Sequence, residues 1–156
     1  MRRILKYAGF ALAALIIGIQ FSRPVRSNPP VDESQTIFAR TQMTPQVASI
    51  LNRSCTDCHS NKTLWPWYSN VAPVSWFVTG HVDQGRKTMN LSEWAKLDHD
   101  HQDRRLRQIC DEVQDGAMPL SSYTPLHPAS KLAPAEVKAL CDWTDSERER
   151  LNQSSK

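Results

Sequence analysis

Apolar positions along the chain fall into blocks with different spacing, and each block predicts a different element. At the start, Arg2, Arg3 and Lys6 precede an apolar run from Tyr7 to Phe21, and a polar, proline-rich stretch from Ser22 to Asp32 follows. A basic flank before an apolar run of this length reads as a signal peptide or membrane anchor over residues 1–22. The run is shorter than the roughly 20 residues of a typical membrane-spanning helix. No Ala-x-Ala-like cleavage site follows, which leaves removal and retention both open. Either way the basic flank is expected to stay cytoplasmic and the bulk of the chain to be exported to the periplasmic side. If retained, residues 4–21 would hold the protein at the cytoplasmic membrane.

Residues 23–43 contain Pro24, Pro29 and Pro30 with little periodicity, and they read as an extended linker. Helical spacing then begins. Val47, Ile50 and Leu51 recur on one face after Thr44, a capping residue, and Pro45, which suits a first helical position. Val74, Phe77, Val78 and His81 follow the i, i+3, i+4, i+7 pattern and predict a helix to about Arg86. Asn90 and Glu93 have capping-box spacing ahead of a longer helix from about Leu91 to Asp115. Its charged stretch from Asp98 to Arg105 reads as a solvated face. A last helix opens at Pro134, carries Val137, Leu140 and Cys141 on one face, and runs to about Leu151. Residues 152–156 form a polar tail. Beyond the leader only Gly80, Gly85 and Gly116 interrupt the chain as glycines, and alternating β-branched runs are few. The expected fold is all-α, one small domain over residues 44–151.

Charge narrows the partners. The whole chain has 19 basic and 16 acidic side chains, a formal +3, with a sequence pI near 8.8. Five of those bases lie before residue 27, so the domain itself carries 14 basic and 16 acidic side chains, a formal −2. The basic pI therefore belongs mainly to the leader, and nothing points to nucleic acid. Few aliphatic residues and five tryptophans suit a small core completed by a flat, apolar prosthetic group.

The chemistry centres on Cys55-Thr56-Asp57-Cys58-His59. Cys-x-x-Cys-His is the attachment pattern of a c-type haem. Two thiols three residues apart can add to the two vinyl groups of one porphyrin, and the adjoining His59 offers the proximal imidazole. A thioredoxin-like pair would follow a strand, whereas Cys55 follows a predicted helix. A zinc site would need two closely spaced ligand pairs, and Cys110 and Cys141 lie far off. The expected cofactor is therefore one covalent haem c. Attachment takes place outside the bacterial cytoplasmic membrane, in agreement with the leader, and it requires haem-attachment machinery as a partner.

The second axial ligand decides function. A thioether raises the haem potential and favours reversible electron transfer, while two imidazoles lower it. Met118, Met89, His81 and His127 compete, and Met89, His99 and His101 carry little weight. Met118 has the best context, in an irregular Gly-Ala-Met-Pro segment between two helices where Pro119 keeps the preceding residue extended. Packing in the core is the alternative role for Met118. His81 ranks second.

Cys55–His59, the segment from Gly116 to Pro119 and the Pro-initiated terminal helix resemble a class I cytochrome c. More closely, Cys58-His59-Ser60-Asn61, Trp65-Pro66-Trp67-Tyr68, Ala72-Pro73-Val74-Ser75-Trp76, Gly85-Arg86, Asn90 to Trp94 and Met118-Pro119-Leu120 with Tyr123 resemble the haem-binding domain family. That family comprises small exported proteins with a single Cys-x-x-Cys-His motif, and the likeness covers roughly residues 40–145. It implies a monohaem fold. Ala133 departs from the usual opening of the terminal helix, where Ser would cap better.

Under this reading Trp65, Trp67, Tyr68 and Trp76 are candidates to wall the porphyrin, and Arg86 to neutralise a propionate. His59 needs an acceptor on its second ring nitrogen, with a carbonyl near Pro66 or Pro73 as the candidate. Cys110 and Cys141 are candidates for a disulfide in an oxidising compartment, with buried free thiols as the alternative. The expected function is electron transfer by an exported monohaem cytochrome with His59 and Met118 as ligands and a redox protein as partner. The alternative is a peroxidase-like, gas-sensing or redox-sensing module with a displaceable sixth ligand.

Overall fold

The computed structural model describes residues 1–154, and every regular element among them is helical. Helix α1 runs Arg2–Ile19, α2 Ile37–Arg40, α3 Pro45–Ser54, α4 Thr56–His59, α5 Val74–Thr88, α6 His99–Gln114 and α7 Pro134–Ser154. Short 3₁₀ turns occupy Glu33–Gln35, Trp67–Asn70, Leu91–Lys96 and Pro128–Ser130. The polar tail expected over 152–156 is helical as far as Ser154, and the remaining residues 155–156 lie outside the described chain.

Helix α1 buries none of its residues. Among the described residues no helix is long and apolar enough to cross a membrane, so a membrane-spanning anchor at the N-terminus finds no support in the structure. The three cations Arg2, Arg3 and Lys6 sit inside this 18-residue helix and shorten its apolar stretch.

The core lies between α3, α6 and α7. Thr44 caps α3 by accepting from the Val47 amide, which satisfies one of the helix's unpaired first-turn donors. Val47, Ile50 and Leu51 are then buried on one side, each worth roughly 1.5–3 kcal/mol when removed from water. They meet Leu106, Ile109 and Val113 of α6 and Leu140 and Trp143 of α7 in one cluster. A disulfide joins Cys110 to Cys141 across the α6–α7 pair, with the two Cα atoms 4.8 Å apart.

Two segments differ from the sequence reading. Residues 23–43 are not extended throughout. Ile37 of α2 is fully buried, Phe38 packs against the core beside it, and Thr36 is buried as well. Helix α7 holds the following residues: Trp143 Nε1 donates to the Gln42 carbonyl, and the buried Glu147 carboxylate accepts from the Gln42 amide and from Arg150. A single turn offers no periodicity to read, so only tertiary packing reveals it. Likewise, the helix expected over Leu91–Asp115 is two elements. Asn90 caps the first 3₁₀ turn through the Ser92 amide, the chain extends at Leu97, and Asp98 caps α6 by accepting from the His101 amide. The charged stretch from Asp98 to Arg105 has no buried residue, as expected of a solvated face, and its first residue also caps the helix.

Ala133 precedes α7 without a capping side chain, and Glu136 supplies the missing contact by accepting from the Ala133 amide. Glu136 also pairs with Arg53 of α3 at 2.7 Å. These contacts hold its carboxyl below the usual carboxylate range, the Ala133 bond first and the Arg53 bond second.

Candidate functional site

Leu51 and the preceding helix set the position of the Cys-x-x-Cys-His run. The Cys55 amide donates to the Leu51 carbonyl, which ends α3. The Cys55 carbonyl then accepts from both the Cys58 and His59 amides, which winds α4 into one turn. That turn places two unbonded, half-buried thiols and the imidazole on adjacent positions. Burial pushes the Cys55 thiol up to about 12 and the Cys58 thiol to about 11, reinforced by Cys58 in the first case and by the Asp57 carboxylate in the second. Both are therefore neutral thiols in the folded chain.

His59 Nδ1 lies 3.1 Å from the Met89 carbonyl. The acceptor sought for this ring is thus the residue that follows α5, not a carbonyl near Pro66 or Pro73. A carbonyl can only accept, so Nδ1 carries the proton and Nε2 keeps a free lone pair, the form a metal requires. Burial lowers the His59 pKa, against an opposing push from the backbone bonds at Met89 and Gly85. The ring stays neutral at physiological pH.

Three cavities share walls around this turn. One is bordered by Cys55, His59, Met89 and Met118 against the core residues Ile109 and Val113. A second adjoins it and is bordered by Cys58, His59, His81, Gly85, Met118 and Tyr123. A third extends from Cys58 past Tyr68, Phe77, His81, Tyr123 and His127. Each of the two cysteines therefore borders a cavity that His59 and Met118 also border, Cys55 the first and Cys58 the second.

Met118 reaches that space because of how α6 ends. Gly116 has φ +68, a left-handed conformation that glycine adopts without steric cost. Its amide bonds the Val113 carbonyl, and the Ala117 amide bonds the Glu112 carbonyl, the double closure of a Schellman motif. The Met118 amide also donates to Glu112. The chain is thus turned sharply out of the helix, and Met118 is delivered to the cleft by backbone bonds alone.

Residues outside the motif's two thiols and histidine brace it. Asp57 Oδ2 accepts from the Tyr123 hydroxyl at 2.6 Å and Oδ1 from the Leu64 amide, so the residue between the cysteines holds both flanking loops. Desolvation and then this bond raise the Tyr123 pKa, which keeps the phenol a donor. Tyr123 stacks on His127 with centroids 4.0 Å apart, and His127 Nε2 meets the Tyr68 hydroxyl at 2.6 Å. Gly85 packs directly against the Cys58 backbone: a Cβ there would come within 2.5 Å of the Cys58 carbonyl oxygen. The small residue was visible in the sequence, but the contact that needs it was not.

The aromatic and basic candidates separate in space. Tyr68 borders the third cavity, whereas Trp67 and Trp76 lie on the outer surface and border none of the three. Trp76 Nε1 donates to the Ser22 carbonyl, and Trp65 Nε1 to Asn28 Oδ1. Arg86 spends its guanidinium on protein acceptors, the Ser60 and Ser27 carbonyls, Asn28 Oδ1 and Thr63 Oγ1. It is a strut between α5 and the segments before and after the motif. His81 borders two cavities, with Nδ1 bonded to the Phe77 carbonyl. His99 and His101 sit on the first turn of α6 against Asp100 and Asp98. Among the described residues no cluster of three or more His, Cys, Asp or Glu side chains could hold a bare metal ion.

An all-helical domain with a Cys-x-x-Cys-His turn opening on an apolar cleft fits a haem-binding protein. The chain belongs to the haem-binding domain family, whose sequence model matches residues 14–146. No curated protein and no solved structure matches it.

Proposed function

We propose that the protein is an exported monohaem c-type cytochrome that carries electrons, with thioethers at Cys55 and Cys58 and axial ligation by His59 and Met118. One observation carries this reading: Met118 and His59 border the same two cavities, next to both thiols and the unprotonated Nε2 of His59. A bound haem supplies a one-electron couple between ferric and ferrous iron. The residues do the rest. Met89 fixes the His59 tautomer, the Gly116 turn presents Met118, and the core side chains Ile109 and Val113 exclude water from one wall of the cleft. Exclusion of water and a thioether ligand both favour the ferrous state and raise the potential. The basic, apolar leader supports export, and a redox protein is the partner such a carrier requires.

A second reading has its own observation. His81 borders the cavity that His59 and Met118 share, so an imidazole is at hand to replace Met118 or to act beside a displaced one. That arrangement would suit a peroxidase-like or sensing role.

Optical spectra of protein expressed with haem-attachment machinery separate the two. The carrier reading expects covalent, low-spin haem with the sulfur-to-ferric-iron band, lost in Met118→Ala and kept in His81→Ala. High-spin haem that binds carbon monoxide in the unaltered protein would overturn it.

A further inference from the structure

The hydroxyls of Ser54, Thr56 and Ser60 flank the Cys-x-x-Cys-His turn and are spent differently. Thr56 Oγ1 donates to the Asn52 carbonyl at 2.6 Å, and Ser60 Oγ donates to the Thr56 carbonyl at 2.7 Å, each four residues back. Such back-bonding is a common outlet for a helical serine or threonine. Ser54, the last residue of α3, does not take it. Its oxygen is buried and finds no hydrogen-bond partner among the described residues. A buried hydroxyl without a partner is costly, so one held beside a binding cleft points to an acceptor that arrives with the cleft's occupant.

Ser54 borders both of the cavities that His59 and Met118 share. Chemistry sorts the acceptors a haem would bring there. Iron occupies the pyrrole nitrogens, and the propionates lie on the porphyrin edge opposite the vinyl groups. Ser54 adjoins Cys55 and so stands at the vinyl edge. Sulfur remains. Of the two shared cavities, Cys55 and Met89 border only the first and Cys58 only the second, whereas Met118 borders both. A thioether sulfur has two lone pairs, so one can accept a weak hydrogen bond while the other binds a metal.

We propose that Ser54 is a positioning residue for Met118, its hydroxyl donating to the Met118 Sδ in the haem-loaded protein. The inference rests on Met118 as the axial ligand. Donation draws electron density from the sulfur and makes it a poorer donor to ferric iron, which adds to the rise in potential that a thioether brings. It also restrains the Met118 side chain from α3, whereas the turn at Gly116 restrains its backbone.

The test uses the full chain with covalent haem, unaltered and as Ser54→Ala and Ser54→Thr. Redox titration and the sulfur-to-ferric-iron band are read on each. Ser54→Ala is expected to lower the midpoint potential, raising the ferric-to-ferrous ratio at a fixed poise about two- to fivefold, the lower part of what one hydrogen bond supplies. The band should persist in that variant at a shifted wavelength. Ser54→Thr keeps the hydroxyl and should hold both readings near those of the unaltered protein. A potential and a band unchanged in Ser54→Ala would overturn the proposal while leaving Met118 as ligand. A changed potential with an unmoved band would overturn it in favour of an effect on the porphyrin, and equal shifts in both variants would overturn it in favour of packing. Absence of the band from the unaltered protein would remove Met118 as ligand, and this role of Ser54 with it.

Discussion

Gly80 and Gly85 stand on the same helix in opposite circumstances, and alanine at each should move stability in opposite directions. A Cβ at Gly80 meets nothing within 4 Å, whereas at Gly85 it lies 2.5 Å from the Cys58 carbonyl oxygen and 3.0 Å from the Cys58 carbonyl carbon. Ordinary contact begins at 3.4 Å, so α5 and α4 must separate by about 0.9 Å to admit it. The obstruction is backbone, held by the bonds that wind Cys55–His59, and cannot rotate away. Replacing a helical glycine by alanine gains about 0.5–1 kcal/mol in chain entropy and propensity. Forcing a methyl into a close-packed contact costs about 1–3 kcal/mol, and more where backbone must shift. Gly80→Ala is therefore expected to raise the unfolding free energy by about 0.5–1 kcal/mol, and Gly85→Ala to lower it by about 1–2 kcal/mol. Urea denaturation followed by circular dichroism measures both, with an unchanged slope as the check that the unfolded state is the same. Gly85→Ala should also reduce the yield of covalent haem, because Cys58 and His59 move with α4. Stabilisation of both variants to the same degree would refute the close contact.

Two further outcomes follow from the packing of α7. The Cys110–Cys141 disulfide closes a loop with a sequence separation of 31. Loop-closure entropy assigns such a link about 3–4 kcal/mol, so Cys110→Ala with Cys141→Ala should lower the melting temperature by about 10 °C in calorimetry. A drop of only a few degrees would show that packing of α6 on α7 suffices. Glu136→Gln should cost under about 1 kcal/mol at pH 7, since its partners are partly exposed. Its folded pKa is depressed, so its stabilisation is fully present above the ordinary carboxylate value and lost as pH falls through the folded one. Denaturation across a pH series should therefore show the two proteins differing at pH 7 and the difference shrinking as pH falls below the ordinary carboxylate value. A constant difference would place the effect elsewhere.

What the sequence determined by itself was local. Cys55, Cys58 and His59 share one helical turn, and the spacing that makes them a haem motif is the spacing that makes that turn. The Thr44–Pro45 start of α3, the helix from Val74 and the glycine that ends α6 at Gly116 rest on interactions within about four residues, so propensity and capping chemistry expose them. Tertiary structure decided what each site residue touches. The Met89 carbonyl on His59, the Cys58 backbone on Gly85 and the four acceptors of Arg86 come from segments 23 to 59 residues away in sequence, brought together where α5 packs on α4. The buried turn at Ile37 was likewise settled by packing, whereas the break before Asp98 rests on the local caps of Asn90 and Asp98. A charged stretch reads the same whether it begins a helix or continues one, and one buried isoleucine has no period. Hydrophobic burial is not directional, so a sequence marks which residues go inside without marking which of them meet.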